Sequence, residues 1–310
     1  MRRLVLLSGF STQAARSVCP CCFDNGDESN HPADPNLDQT ITGTYMKCFI
    51  RNLAATAVLS ISTQLHASDT QELAEASQNP VGNIISLPFE YNYDFEVGPE
   101  EGDVQILNLK PVYPVNIGKY NLINRLTVPL SHQEERFPGE GSKSGLGNIT
   151  YQGFVSPAQP GKVIWGVGPA VTVPSKTDDR FGSEKWSGGP AVVVLAKPGN
   201  WLVGALVQHS WSFAGDSDDN NVNLTSFQYF INYNFPSGWY LTSTPTNTAN
   251  WDESSSDRFT IPIGGGIGKL VRFGNQPVDF KLQGFYNAEK PDGAADWTMQ
   301  FQFKFLFPKS

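Results

Sequence analysis

From Trp297 to Phe307 the chain alternates almost without interruption. Trp297, Met299, Phe301, Phe303, Phe305 and Phe307 share one parity, and Thr298, Gln300, Gln302 and Lys304 share the other, with Leu306 the exception. Successive side chains of a β-strand point to opposite faces, so this segment predicts a strand with one apolar and one polar face. Four Phe, a Trp and a Met in a row at the very end of a chain match the closing strand of an outer-membrane barrel. There, apolar groups meet lipid and polar groups meet the lumen. No other local feature constrains the fold as tightly.

The same period recurs upstream. The apolar face of residues 84–97 carries Ile85, Leu87, Phe89, Tyr91, Tyr93, Phe95 and Val97, opposed by Ser86, Glu90, Asn92, Asp94 and Glu96. Further strands are expected near 104–115, 121–130, 145–156, 162–174, 185–197, 201–213, 223–235, 239–251, 258–270 and 277–289. Gly and Pro interrupt the second, fourth and tenth of these. With 297–307 the count is twelve, an even number as single-chain bacterial barrels require, and most segments have the 9–11 residues that cross a bilayer at a tilt. The expected fold is therefore all-β: a transmembrane antiparallel up-and-down β-barrel of about twelve strands spanning residues 83–310.

The connections alternate in kind. Pro157–Gly161, Lys197–Asn200 and Pro236–Gly238 are short and rich in Pro and Gly, whereas 131–144, 175–184, Asp216–Asp219, Asp252–Glu253 and Asp292–Gly293 are acidic and generally longer. Outer-membrane barrels show this asymmetry, with short turns on the periplasmic side, where both chain ends then fall. Trp165, Trp201 and Trp239 follow short turns, while Trp186, Trp211, Trp251 and Trp297 lie beside acidic loops. Two aromatic girdles follow, because the amphipathic indole favours the boundary between headgroups and hydrocarbon. A soluble β-sandwich, such as a secreted lectin, would instead place Trp near strand centres.

Met46 opens a second pattern. Lys47 and Arg51 are basic, Leu53–Ile61 is apolar, and Leu65-His66-Ala67 ends in a small residue, which together read as a signal peptide over 46–67 cleaved near Ala67. Residues 1–45 then read as a mis-assigned or disordered extension, and 68–82 as a short polar periplasmic lead with a helical turn or two around Glu72–Ser77, stopped at Asn79-Pro80. Cys19, Cys21, Cys22 and His31 could on paper hold zinc. All four cysteines, including Cys48, precede the cleavage point, so the mature chain is cysteine-free and no metal or other cofactor is expected. The whole chain carries a net charge of −8, and five cations and five acids precede Ser68, so the mature balance is unchanged. With no basic cluster, nucleic acid is not an expected partner.

Two histidines remain in the mature chain. His209 falls on the outward register near Ser210 and Ser212, where a lipid-facing outer-membrane hydrolase could carry a Ser/His/Asn site. The run His209-Ser210-Trp211-Ser212-Phe213 lacks the H-x-S-N-G pattern of such phospholipases, and an interfacial polar residue is the plainer reading. His132 reads as solvated at a loop base. Gly264-Gly265-Gly266-Ile267-Gly268 lacks the Lys and Ser/Thr of a phosphate loop and fits a closely approached strand. Asp216–Asp219 lacks EF-hand spacing. The chain is not expected to be an enzyme.

The remaining chemistry lies in the inward-facing charges: Glu90, Asp94, Lys110, Arg125, Arg258, Asp279, Lys281 and Lys304. Ionisable groups do not face hydrocarbon cheaply, so their register predicts a polar lumen, either lining a permeation path or pairing to plug a structural barrel.

NPVGNIISLPFEYNYDF, KVIWGVGPAVTVPSKTDD, GSEKWSGGPAVVVL, WLVGALVQHSWSFAGDSD, FINYNFPSGWYLTS and KPDGAADWTMQFQFKFLFP resemble a group of Gram-negative proteins often mislabelled "neuromedin U", akin to proposed outer-membrane transporters of MetA-pathway phenol degradation. The resemblance covers about residues 72–308 and none of 1–45. It implies an outer-membrane barrel with a transport role and no catalytic residues. The function expected is a passive channel for small, hydrophobic or aromatic solutes. The expected partners are outer-membrane lipid, an unidentified small-molecule solute, and the barrel-assembly machinery, which would read the closing strand at Phe307.

Overall fold

The computed structural model describes residues 70–308. The extension, the signal-peptide segment and all four cysteines lie outside the described residues, as do His31, Lys309 and Ser310.

Twelve antiparallel strands close into a barrel. We number them β1 (Ile85–Val97), β2 (Gly102–Leu109 and Val112–Asn116), β3 (Tyr120–Gln133), β4 (Lys143–Leu146 and Ile149–Pro157), β5 (Val163–Val173), β6 (Lys185–Ala196), β7 (Trp201–Gly215), β8 (Asn223–Asn234), β9 (Trp239–Ser243 and Thr246–Asn250), β10 (Phe259–Phe273), β11 (Gln276–Glu289) and β12 (Trp297–Phe307). Each strand pairs with its sequence neighbours, and β1 pairs with β12 from Ile85↔Phe307 to Asp94↔Thr298, which leaves no free edge. Closure is what allows β-structure to exist in lipid, because every backbone donor and acceptor finds a partner on the next strand. The stacked rings of Phe89 and Phe303, 4.7 Å apart at 8°, reinforce the seam.

Three strands are broken. The second and fourth break where proline and glycine were expected to interrupt them, at Lys110-Pro111 and Gly147-Asn148. The third break falls in β9 at Thr244-Pro245, and the tenth strand runs unbroken through its glycines. Proline has no N–H to give the ladder, so β9 gives way at Pro245. Glycines only weaken a strand, and here they make room. A Cβ on Gly268 would lie 2.1 Å from the ring of Tyr240, so its absence lets that ring lie flat across β10.

The outer surface is an apolar belt. Val163, Val167, Val192, Val194, Val207 and Ile231 are among many large apolar side chains left uncovered, and all seven tryptophans are 37–56% exposed. A soluble monomer does not leave this much contiguous apolar surface bare, whereas a lipid-facing wall must. At the short-turn end, Gly199 and Gly238 take positive φ (62° and 79°) to turn within a few residues. At the opposite end the loops brace one another. Arg180 donates to the carbonyls of Glu140 (2.7 Å) and Gly141 (3.0 Å), and Asp219 accepts from the Ser183 hydroxyl (2.7 Å) and the Glu184 N–H.

The interior is not uniformly polar. Ile123, Phe154, Ile164, Val193, Leu195 and Leu206 point inward and form a buried apolar cluster along β3–β8. The charges that predict a polar lumen gather on β1, β11 and β12, at the break in β2 and at Arg125 on β3. Residues 70–78 form a helix, α1, at the short-turn end of this interior. Ala74 and Leu73 pack on Leu270, Leu306 and Ile84, while Val81, just past the helix, joins the apolar cluster.

Candidate functional site

The charged wall is assembled by register. Glu90, Gln302 and Lys281 occupy one row across β1, β12 and β11, and Pro88, Lys304 and Asp279 occupy the row nearer the short turns. Lys110 sits at the break in β2, where Pro111 leaves the ladder, and its ammonium pairs with Glu90. Arg125 on β3 lies with its guanidinium carbon 6.0 Å from the ring centre of Phe154. Six of the eight predicted lumen residues, Glu90, Lys110, Arg125, Asp279, Lys281 and Lys304, therefore surround one cavity of about 120 Å³.

Asp94 and Arg258 lie elsewhere. Asp94 is nearer the loops, accepting from Thr298 Oγ1 at 2.5 Å, on the wall of a second cavity of about 430 Å³. Arg258 lines neither cavity. It precedes β10, where the alternation has not yet begun, and its guanidinium lies 5.6 Å from the ring centre of Trp251 and donates to the Glu253 carbonyl at 3.3 Å.

Asp279 is the hub that ties α1 to the barrel. It is 2% exposed and accepts from Tyr240 Oη (2.8 Å) and Ser77 Oγ (3.0 Å), with the Lys304 ammonium 4.0 Å away. Lys304 Nζ also donates to the Ser77 carbonyl at 2.7 Å. A cation at the end of a helix meets carbonyls left without an intrahelical partner, so this contact suits its place. Gln78 bonds Asn234 (2.7 Å), and Glu75 faces Lys197 (3.7 Å). The lead read from sequence as periplasmic thus places its helix within the mouth of the barrel.

The break in β9 turns Thr244 and Pro245 inward between the two cavities, and Glu90 and Thr244 line both. Gln283 fixes Thr244 by accepting from its N–H (3.1 Å) and donating to its hydroxyl (3.0 Å). Lys281 Nζ reaches the same hydroxyl at 3.3 Å. Sequence reasoning singled out none of Ser77, Tyr240 or Thr244 for the site. The proline after Thr244 was the one available signal.

Neither histidine is arranged for nucleophilic catalysis. His209 Nδ1 lies 2.8 Å from Thr225 Oγ1 and its ring meets Trp211 edge-on, while the adjacent Ser210 faces inward toward Gln208. His132 Nδ1 lies 2.7 Å from Ser144 Oγ. Among the described residues neither a carboxylate nor an asparagine is seen bonding either ring, so no orienting third member of a triad is in place. Among the described residues, no three His, Cys, Asp or Glu side chains converge as metal ligands.

A closed barrel with an apolar belt, exposed tryptophans and charges turned inward defines a transmembrane barrel of the bacterial outer membrane. Its sequence specifies the group: residues 92–303 match the family described as "Putative MetA-pathway of phenol degradation", and the chain belongs to that family. This bears out the resemblance seen in the sequence. The crystal structure of an outer membrane channel from Pseudomonas putida F1 superposes with a TM-score of 0.56 at 15% identity, covering 73% of this chain and 96% of the channel, and shares the fold. The CymD monoaromatic hydrocarbon channel (TM-score 0.41, 9% identity, covering 77% and 92%) and the outer membrane phospholipase A of Escherichia coli (0.38, 13%, covering 72% and 96%) are too loosely related to carry an argument. No curated protein sequence matches the chain.

Proposed function

We propose that this protein is a passive outer-membrane channel for small hydrophobic or aromatic solutes. The observation that carries the reading is the two-sided lumen. Apolar side chains line one side of the open space, Val112 and Phe230 in the first cavity and Val104 and Phe285 in the second, fixed charges line the other, and the two cavities share Glu90 and Thr244 on their walls. An inert structural barrel has no need of both surfaces facing the same space. A route for molecules with an apolar body and a polar end uses both. On this reading the protein transports and does not catalyse, in keeping with the unoriented imidazoles of His132 and His209.

The mature chain would begin at Ser68 after cleavage near Ala67, both chain ends would face the periplasm, and the barrel-assembly machinery would read the closing strand at Phe307. N-terminal sequencing of the exported protein tests the first point, and a start upstream of Met46 would overturn it. Transport is tested by planar-bilayer conductance together with phenol entry into protein-loaded vesicles. Unitary conductance and saturable entry are expected. A barrel that is silent in both assays would remove the channel reading.

A further inference from the structure

The 120 Å³ cavity holds more positive than negative charge. Lys110, Arg125, Lys281 and Lys304 line it against only Glu90 and Asp279. Glu90 pairs with Lys110, and Asp279 lies 4.0 Å from Lys304. Arg125 and Lys281 have no carboxylate of their own. Lys281 contacts only the Thr244 hydroxyl, and Arg125 Nη1 is buried with no hydrogen-bond partner. An unmatched charge at membrane depth is costly, and a buried guanidinium N–H without an acceptor adds to the cost. Glu90 acts on both groups across the cavity but is already paired with Lys110, so the folded chain leaves neither with an anion of its own.

We infer that Arg125 and Lys281 form a binding site for the carboxylate of a small single-ring aromatic acid. The guanidinium offers paired donors suited to a carboxylate, and the ammonium of Lys281 adds a second charge. Phe230 and Val112 line the same cavity, and Phe230 belongs to the apolar cluster, so the ring has a surface to lie against. At about 120 Å³ this cavity is smaller than the roughly 150 Å³ known to hold one benzene ring, but it adjoins the 430 Å³ cavity at Glu90 and Thr244, and the two together admit a single-ring acid. The inference deepens the channel reading and rests on it for the ligand's route, but binding can be measured without conduction.

The test is calorimetric titration of the full-length purified protein in detergent with benzoate, and with benzyl alcohol as the neutral analogue. One benzoate is expected to bind per barrel, roughly tenfold or more weakly to Arg125→Gln and to Lys281→Gln. Benzyl alcohol is expected to bind weakly and equally to all three proteins. Because Arg125→Gln can fail to assemble, heat-modifiable migration is checked first and Lys281→Gln carries the test alone if needed. Absence of benzoate binding to the wild type, equal affinity in an assembled variant, or benzyl alcohol binding as tightly as benzoate would each overturn the site. Benzoate binding to a barrel that never conducts would sink the channel reading and leave the site standing. Conductance without benzoate binding would do the reverse.

Discussion

Truncating Asp279 should loosen α1 from the barrel by an amount that the contacts themselves set. The Tyr240 bond to Asp279 lies within the barrel wall and is present whether or not α1 is docked. The Ser77 bond, at 3.0 Å, exists only in the docked state. A hydrogen bond to a charged partner contributes about 1.5–3 kcal/mol, so Asp279→Ala is expected to raise the undocked population roughly 10- to 150-fold. The loss of a counter-charge for Lys304, which α1 covers, pushes the same way. The partly exposed Glu75–Lys197 pair at 3.7 Å is the control. Pairs of that kind contribute about 0–1 kcal/mol, so Lys197→Ala should change the population roughly fivefold at most. Ala74 is 1% exposed and no cysteine follows Cys48, so Ala74→Cys in a chain starting at Ser68 is a clean reporter. Its maleimide-labelling rate tracks the undocked fraction when opening is fast. Equal rates in Asp279→Ala and the parent, or a larger effect from Lys197→Ala, would refute the assignment of Asp279 as the hub.

Gly268→Leu should block assembly, since even a Cβ would meet the Tyr240 ring at 2.1 Å, and restoration of heat-modifiable migration by Tyr240→Ala in the same chain would trace the fault to that contact. The acidic loops should hold their order down to low pH. Asp219 is kept below the usual aspartate value by the Glu184 N–H and the Ser183 hydroxyl, and Asp178 by the Lys143 ammonium and the Arg180 N–H. Groups with depressed values contribute stability that is complete above the unfolded aspartate value and fades as pH falls toward the folded one. Carboxyl-carbon titration should therefore place both midpoints below those of a disordered peptide, and ordinary midpoints would contradict the bonding seen in the loops. Phe307→Ala should reduce the yield of heat-modifiable barrel in outer membranes, and normal assembly would argue that another feature of β12 is read.

Much of the barrel was legible because lipid and water impose opposite demands on alternate residues. In β1 and β12 the two faces differ so sharply that register, and with it the inward placement of Glu90, Asp94 and Lys304, followed from parity alone. The apolar inner wall was not legible. In β5, β6 and β7, stretches such as Ala191-Val192-Val193-Val194-Leu195 are apolar on both faces, and parity cannot show that Val193 and Leu195 look inward. The helix around Glu72–Ser77 was expected, but its place in the barrel mouth was not legible, for a different reason. Ser77, Gln78 and Glu75 are polar because they meet a polar wall, and in sequence this looks the same as polarity that meets solvent. Pairings such as Glu90 with Lys110 depend on the bend at Pro111, which alternation does not encode.

Lys304 lies on the last strand to be made, and its ammonium holds the carbonyl of Ser77, eight residues before the first strand begins. That contact spans almost the whole of the mature chain, so it belongs to the latest class of events in folding, when the loop to be closed is longest. The hub completes only when β12 has come to lie beside both β1 and β11 and carried Lys304 to Asp279. A barrel whose seam is still open has half of its latch missing and an unsecured leading helix. The latch is therefore complete only in a closed barrel, and whatever opens the seam also loosens the helix that fills the mouth.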